Sequence, residues 1–242
     1  MISKNQIKLI TGLHQKKYRN KHGLFIAEGP KIIKDLLQAG MDLHSVYTTE
    51  NTSEVTANFE IISAAEMQKI TALTNANTIL AIFHIPDSQE LTSHGLTVVL
   101  DSVRDPGNLG TIIRLCDWFG VTQIVCSKDT VDCFNPKVVQ ATMGSIARVA
   151  VHYLELDSFL ERSNLPKYGA VMNGNEVYKE RLDQDALLIL GNEANGISSE
   201  IQAMVTHRIT IPYFGNPETA ESLNVASATG ILLNEFRRTI EK

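Results

Sequence analysis

The sequence predicts an α/β protein whose larger, C-terminal part is a parallel sheet covered by helices, preceded by a smaller α/β unit. Three observations predict it. Apolar runs of strand length, TVVLD (97–101), TQIVC (122–126), YGAVMN (168–173) and ALLILG (186–191), alternate with helical stretches, and the strand-like HRITIP (207–212) extends the series. Between the first two runs, LGTIIRLCDWFG places Ile112, Leu115, Cys116 and Phe119 at helical spacing, one apolar face on a crossover helix. A polar stretch, PDSQELTSHG (86–95), bounded by Pro86 and Gly95 and without periodicity, separates this region from the first. The expected domains are 1–92 and 93–242.

The first region alternates on a smaller scale: LFIAE, the helical PKIIKDLLQAG, then LHSVYTT, FEIIS, AAEMQKITAL and TILAIFHI. At 242 residues the chain has room for one medium domain and a smaller one. Its 43% hydrophobic and 20% charged content is that of a globular protein, and no run reaches the roughly 20 apolar residues that cross a bilayer. The N-terminus lacks the apolar core of a secretory signal, so a cytoplasmic location is expected. Cys116, Cys126 and Cys133 form no Cys-x-x-Cys pair and lie in or beside apolar runs, as buried reduced thiols do. The net charge of −5 is uneven: residues 1–22 hold Lys4, Lys8, Lys16, Lys17, Arg19 and Lys21 and no acidic residue. Screening confines such charge to about 10 Å at 0.1 M salt. A basic arm can therefore bind phosphates locally on an acidic protein, a solvated helix face being the other reading.

Open parallel sheets bind ligands beyond the carboxyl ends of their strands. Three strand-following loops carry the polar residues of interest: DSVRDPGNLG, GNEANG and YFGNPETAESLN. In the first, Asn108 is a plausible helix N-cap, and Arg114 falls off the apolar face, about 200° round the helix from Ile112. The second has neither the Lys-Ser/Thr of a Walker loop nor a dinucleotide fingerprint, and Glu193 would repel a phosphate, so a neutral or cationic ligand suits it. The third leads into a helix whose core face is Val225, Ala228, Leu232 and Phe236, with Asn224 as a candidate cap. Ala226, Ser227 and Gly230 leave room for another backbone or a ligand to approach that helix.

Taken together, DSVRDPGNLGTIIRLCDWFG, LILGNEANGIS and IPYFGNPETAESLNVASATGILLNEF resemble the SpoU/TrmH family of RNA 2′-O-ribose methyltransferases, of the SPOUT superfamily, over residues 96–240. The N-terminal part resembles the small substrate-binding domain often fused to such enzymes. The resemblance implies a SPOUT-type parallel sheet with a C-terminal trefoil knot, whose small residues let the threaded chain and cofactor pack on the last helix. It implies S-adenosylmethionine as cofactor, held largely by backbone around Leu190, Gly191, Ile211 and Leu223, with no metal. It places Asn108, Arg114, Glu193, Ser222 and Asn224 at the transfer site. Arg114 is the family's proposed base. Because a guanidinium normally stays charged, phosphate anchoring and stabilisation of the developing alkoxide stand beside that role. The loop from Ile211 to Ser222 is a few residues longer than in many relatives, with NPETAE before SLN.

The expected function is S-adenosylmethionine-dependent methylation of a ribose 2′-hydroxyl in structured RNA, ribosomal RNA ahead of transfer RNA, by a cytoplasmic homodimer without membrane association. Lys16, Lys17, Arg19 and Lys21 are the expected RNA contacts. An RNA-binding protein of the same fold without catalysis is the alternative, and five intact polar positions count against it. A nucleotide- or NAD-dependent α/β enzyme would require a Gly-rich fingerprint that the sequence lacks.

Overall fold

The computed structural model describes residues 1–50, 58–215 and 222–238, which form two compact units. The inserted NPETAE, residues 216–221, lies outside the described residues.

One unit comprises residues 1–88 and 132–148. Its helices are α1 (Lys4–Gly12), α2 (Lys16–His22), α3 (Pro30–Gln38), α4 (Ala64–Ile70) and, from the later segment, α6 (Pro136–Thr142). Its strands β1 (Leu24–Glu28), β2 (Leu43–Thr48), β3 (Glu60–Ile61) and β4 (Ile79–His84) form a mixed sheet of order β1-β4-β2-β3. The apolar faces of α1 and α4 close over this sheet through Ile10, Leu13, Met67 and Ile70, all essentially buried. Ser3 and Ser63 cap the two helices with reciprocal bonds to Gln6 and Glu66.

Arg19 departs from its expected RNA-contacting role. It is 1% exposed: Nε donates to Asp132 Oδ2 at 2.9 Å, Nη2 donates to the same oxygen, and Nη1 reaches the carbonyls of Leu13 and His14. A guanidinium is rarely buried unless paired, and this one is fully engaged in fastening segment 132–148 onto α2. Phe134 packs on Phe25 beside it, with ring centroids 4.8 Å apart. Lys16, Lys17 and Lys21 are exposed.

The other unit comprises residues 89–131 and 149–242. Six strands, β5 (Leu96–Leu100), β6 (Gln123–Ser127), β7 (Ala150–Leu154), β8 (Lys167–Glu176), β9 (Ala186–Leu190) and β10 (His207–Thr210), pair in parallel in the order β10-β8-β9-β5-β6-β7. The central strands β5 and β9 are buried along their whole length, as a sheet covered on both faces requires. The chain leaves β5 toward β6 and β7, then returns to the other side of β9. The switch point therefore lies between β5 and β9, where ligands of open α/β sheets bind. Helices α5 (Pro106–Trp118), α7 (Leu156–Arg162), α8 (Ser199–Gln202) and α9 (Val225–Arg238) complete the unit, with α9 packed on α5.

The fold corrects one detail of α9. Among the described residues no passing backbone comes within 4 Å of where a Gly230 side chain would begin; it would touch the Leu115 methyls of α5 at 3.6 Å, an ordinary packing contact. Close backbone approach occurs elsewhere, at Gly191, where a Cβ would lie 1.9 Å from the Gly196 carbonyl carbon.

Candidate active site at the switch point

A cavity of about 660 Å³ opens beside the carboxyl ends of β8, β9 and β10. Its wall includes Leu190, Gly191, Glu193, Ile211, Ser222 and Leu223, which brings together the four expected cofactor positions and two of the five expected transfer-site residues. Val225, Ala228 and Leu232 of α9 supply an apolar side. The small Ala228 thus faces the cavity, while Ser227 is exposed.

Asn108 and Asn224 join Glu193 through a directed hydrogen-bond chain. Asn224 Oδ1 accepts from the backbone N–H groups of Ala226 and Ser227 at 3.0 and 3.2 Å, capping α9. That orientation leaves its Nδ2 as donor, and it donates to Asn108 Oδ1 at 2.9 Å. Asn108 Nδ2 is then free to donate, and it does so to Glu193 Oε1. Each amide has one orientation consistent with its neighbours, so the α9 N-terminus fixes the partner offered to the carboxylate.

Asn108 does not cap α5. Asp105 does, its Oδ1 accepting from the Asn108 N–H at 2.8 Å, and Pro106 follows at the first helical position. This releases the Asn108 side chain for the chain above. Arg114 stands apart from the cavity wall: it is exposed on α5 and makes no ion pair among the described residues. Trp118, one turn further on, is 84% exposed.

Part of the wall was not visible in the motifs. The pairing of β8 with β10 jumps between Arg208 and Ile209, from Gly169 to Asn175, so that residues 170–174 bulge out of register. Met172 and Asn173 of this bulge line the cavity, pinned by Arg208 Nη2 to Asn173 Oδ1 at 2.9 Å and by Thr210 Oγ1 to the Met172 carbonyl at 3.2 Å. Tyr213 and Phe214, 50% and 87% exposed, stand on the wall beyond β10. Their aromatic type in a strand-following loop was the only sequence signal.

The loops behind the cavity are braced by carboxylates. The Arg104 guanidinium, with the hydroxyls of Ser127 and Ser102, holds Asp129 well below the usual carboxylate range, at about 2. The three cysteines are buried, undisulfided thiols, and burial pushes Cys116 upward.

The lining suits a nucleoside-like ligand: apolar side chains and main chain for a neutral base, one carboxylate, Glu193, one guanidinium, Arg208, which is engaged by Asn173, and a volume within the roughly 300–1,000 Å³ of small-molecule sites. Among the described residues, no cluster of His, Cys, Asp or Glu could hold a metal ion, and no helix is long and apolar enough to cross a membrane. The polar relay joins the loops after β5 and β9, the strands that flank the switch point, beside a cavity of nucleoside size, which defines an α/β protein with a small-molecule site. Comparison with known proteins narrows this class. The model of the SpoU rRNA methylase family matches residues 95–234, and that of the MRM3-like substrate binding domain matches residues 4–81. The chain belongs to the SpoU rRNA methylase family.

It is 29% identical over 245 residues to the 23S rRNA (guanosine(2553)-2′-O)-methyltransferase RlmP of Bacillus subtilis, with 97% of each chain covered. A solved TrmH-family protein from Porphyromonas gingivalis superposes with a TM-score of 0.89 at 37% identity, over 98% of this chain and 99% of that one. An AdoMet-bound rRNA methyltransferase from Sinorhizobium meliloti does so with a TM-score of 0.84 at 29% identity, over 98% and 97%.

Proposed function

We propose that this chain transfers a methyl group from S-adenosylmethionine to a ribose 2′-hydroxyl of structured RNA, ribosomal RNA in the first instance. The single observation that carries the reading is the Asn224–Asn108–Glu193 chain, which joins the loops after β5 and β9 at the rim of the cavity. When bound, the cofactor supplies a methyl group on a sulfonium. Glu193 gives the site a negative charge matched to a cation, and the two asparagines hold that carboxylate in place before any ligand arrives. The attacking hydroxyl must shed its proton as it reacts, and water at the exposed rim of the site takes it. Arg114 anchors an RNA phosphate and stabilises the developing alkoxide. Ser222, exposed on the cavity wall, positions the ribose.

The cofactor contacts assigned to Leu190, Gly191, Ile211 and Leu223 belong to the same reading, supported by their place on the cavity wall. So does the knotted threading of the C-terminal segment, supported by the match of residues 95–234 to the SpoU rRNA methylase family. The domain division at 92/93 stands as a proposal about the separate tasks of substrate recognition and chemistry. A cytoplasmic location completes it.

We also propose that two copies assemble, with Arg114 completing the site of the partner. Arg114 and the exposed Trp118 share one face of α5 at i and i+4, a charge and an apolar surface presented together. Co-refolding Arg114→Ala with Asn224→Ala protein should restore activity that neither has alone; no recovery would refute the shared site. Lys16, Lys17 and Lys21 contact RNA phosphates. Neutralising them should weaken RNA affinity and reduce its salt slope by about 0.7–0.9 per lost contact. Removing residues 1–92 is a poorer test, since it strips segment 132–148 of its packing partners.

The direct test is incubation of the protein with S-adenosylmethionine and total RNA from cells lacking the gene, followed by mapping of 2′-O-methyl groups. Calorimetry with S-adenosylmethionine, NAD and ATP complements it. Tight binding of NAD or ATP, with no methyl mark gained, would overturn the reading.

A further inference from the structure

We infer that Asp101 is a positioning residue of this site, whose backbone holds the entrance and whose buried carboxylate holds the exit of the loop carrying Glu193; the inference rests on the function proposed above. Asp101 is 6% exposed at the carboxyl end of β5. Its own N–H donates to the Leu190 carbonyl at 2.9 Å, where the 191–197 loop begins. Its Oδ2 accepts from the Ser198 N–H at 2.7 Å, where that loop ends. One residue therefore fixes the entrance and the exit of the segment that supplies Gly191 and Glu193 to the cavity. Inside the loop, Asn192 Oδ1 accepts from the N–H groups of Ala194 and Asn195 at 3.0 and 2.8 Å, which gives it a set shape, and Asn108 at Glu193 and Gln202 Nε2 at the Ile197 carbonyl, 2.7 Å, hold it beside Asp101.

A buried carboxylate is costly unless something compensates it. Among the described residues no Lys, Arg or His pairs with Asp101, and it is not part of the cavity wall. Its contacts are the loop's N–H and the Ser102 hydroxyl, 3.1 Å from Oδ1. Ser102 takes a φ of +60, uncommon outside glycine, and is held there by its N–H to Ser127 Oγ at 2.9 Å and its hydroxyl to Asp129 Oδ2 at 2.9 Å. The same turn runs on to Asp105 and Asn108. Asp101 thus sits where the Asn108 loop and the Glu193 loop are joined, and the geometry of the Asn108–Glu193 bond depends on that junction.

The test pairs titration of the full-length chain with S-adenosylmethionine and hydrogen exchange of the Ala194, Asn195 and Gly196 amides, a readout that needs no ligand. Asp101→Ala should weaken affinity about tenfold or more, the factor expected for loss of a hydrogen bond to a charged group, and speed exchange of those amides similarly. Asp101→Asn, whose Oδ1 still accepts from Ser198, should restore both. Ser198→Pro removes the donor and sets a ring carbon against the Asp101 carboxylate in its place, and the φ of −59 there suits proline. It should weaken affinity at least as much as Asp101→Ala, with the double variant, in which the ring meets no carboxylate, no worse than Ser198→Pro alone. A lowered melting temperature in Asp101→Ala with unchanged affinity and unchanged loop exchange would make the residue merely structural and overturn the inference. So would additive effects in the double variant. If Asp101→Ala does not fold, Ser198→Pro decides alone. If the wild-type protein does not bind S-adenosylmethionine, the function proposed above fails, and the exchange measurement still decides the role of Asp101.

Discussion

The N-termini of α5 and α9 both feed the site, and they divide the work differently. At α5 the cap is Asp105 and the residue turned toward the site is Asn108. At α9 a single residue, Asn224, does both: its carbonyl oxygen caps the helix while its amide nitrogen donates to Asn108. Helix stability and site geometry are therefore separable at α5 and fused at α9. A side-chain amide has two ends of opposite polarity, and only at α9 are both of them engaged by the relay and the cap together.

Substitutions can break that comparison. Asn108→Ala removes the donor to Glu193 and should lower turnover by about 10²–10³, the range for loss of one preorganised donor, while changing stability by less than about 0.5 kcal/mol. Asn224→Ala should lose a comparable factor in turnover and about 0.5–2 kcal/mol of stability as well. Thermal melts beside single-turnover assays check the pair, and equal melting losses would show that the two helix starts do not differ. Asn224→Asp sharpens the point: aspartate caps as well as asparagine but cannot donate to Asn108, so melting should be preserved and activity lost. Asp105→Ala is the mirror case, with about 0.5–2 kcal/mol lost and most of the turnover kept.

The smallest expected effect concerns the bracing behind α5. Asp129 sits at about 2, chiefly through Arg104, below the roughly 3.9 of an unfolded aspartate. Its contribution is present above the unfolded value and is lost as pH falls from about 4 through about 2. Both side chains are about half exposed or more, so solvent screens the pair and the slope is shallow. Arg104→Ala should flatten it, as followed by acid melts and by the carboxyl resonance of Asp129.

Much of this architecture is legible in the sequence because its signals are local. ALLIL is apolar at every position and LTVVL at all but Thr97, whose hydroxyl accepts from Gln123, as strands covered on both faces must be, and the polar stretch 86–95 indeed carries no regular element. Strand β7, AVHYL, escaped delineation because it is a half-buried edge strand interrupted by His152. The true cap of α5 had a signal that competed with another: Asp105 and Asn108 both suit an N-cap, and only Pro106, fit for the first helical position, decides for Asp105. Other features depend on partners far along the chain. Arg19 looks like one more charge in a basic run until Asp132, 113 residues away, takes it inward. The bulge of β8 is set by its register against β10, which no alternation of residues encodes.

The two glycines that bound the Glu193 loop tolerate change in opposite ways. Gly196 has a φ of +67 with nothing within 4 Å of where a side chain would begin, so its requirement is one of handedness. Asparagine should be accepted there with little penalty, and most other L-residues at about 1–2 kcal/mol. Gly191 has no such latitude: its missing Cβ is the space that the Gly196 carbonyl occupies, so even alanine must push the loop away from β9. In a saturation library of GNEANG, survivors at 196 should therefore sort by backbone preference, whereas 191 should return glycine alone.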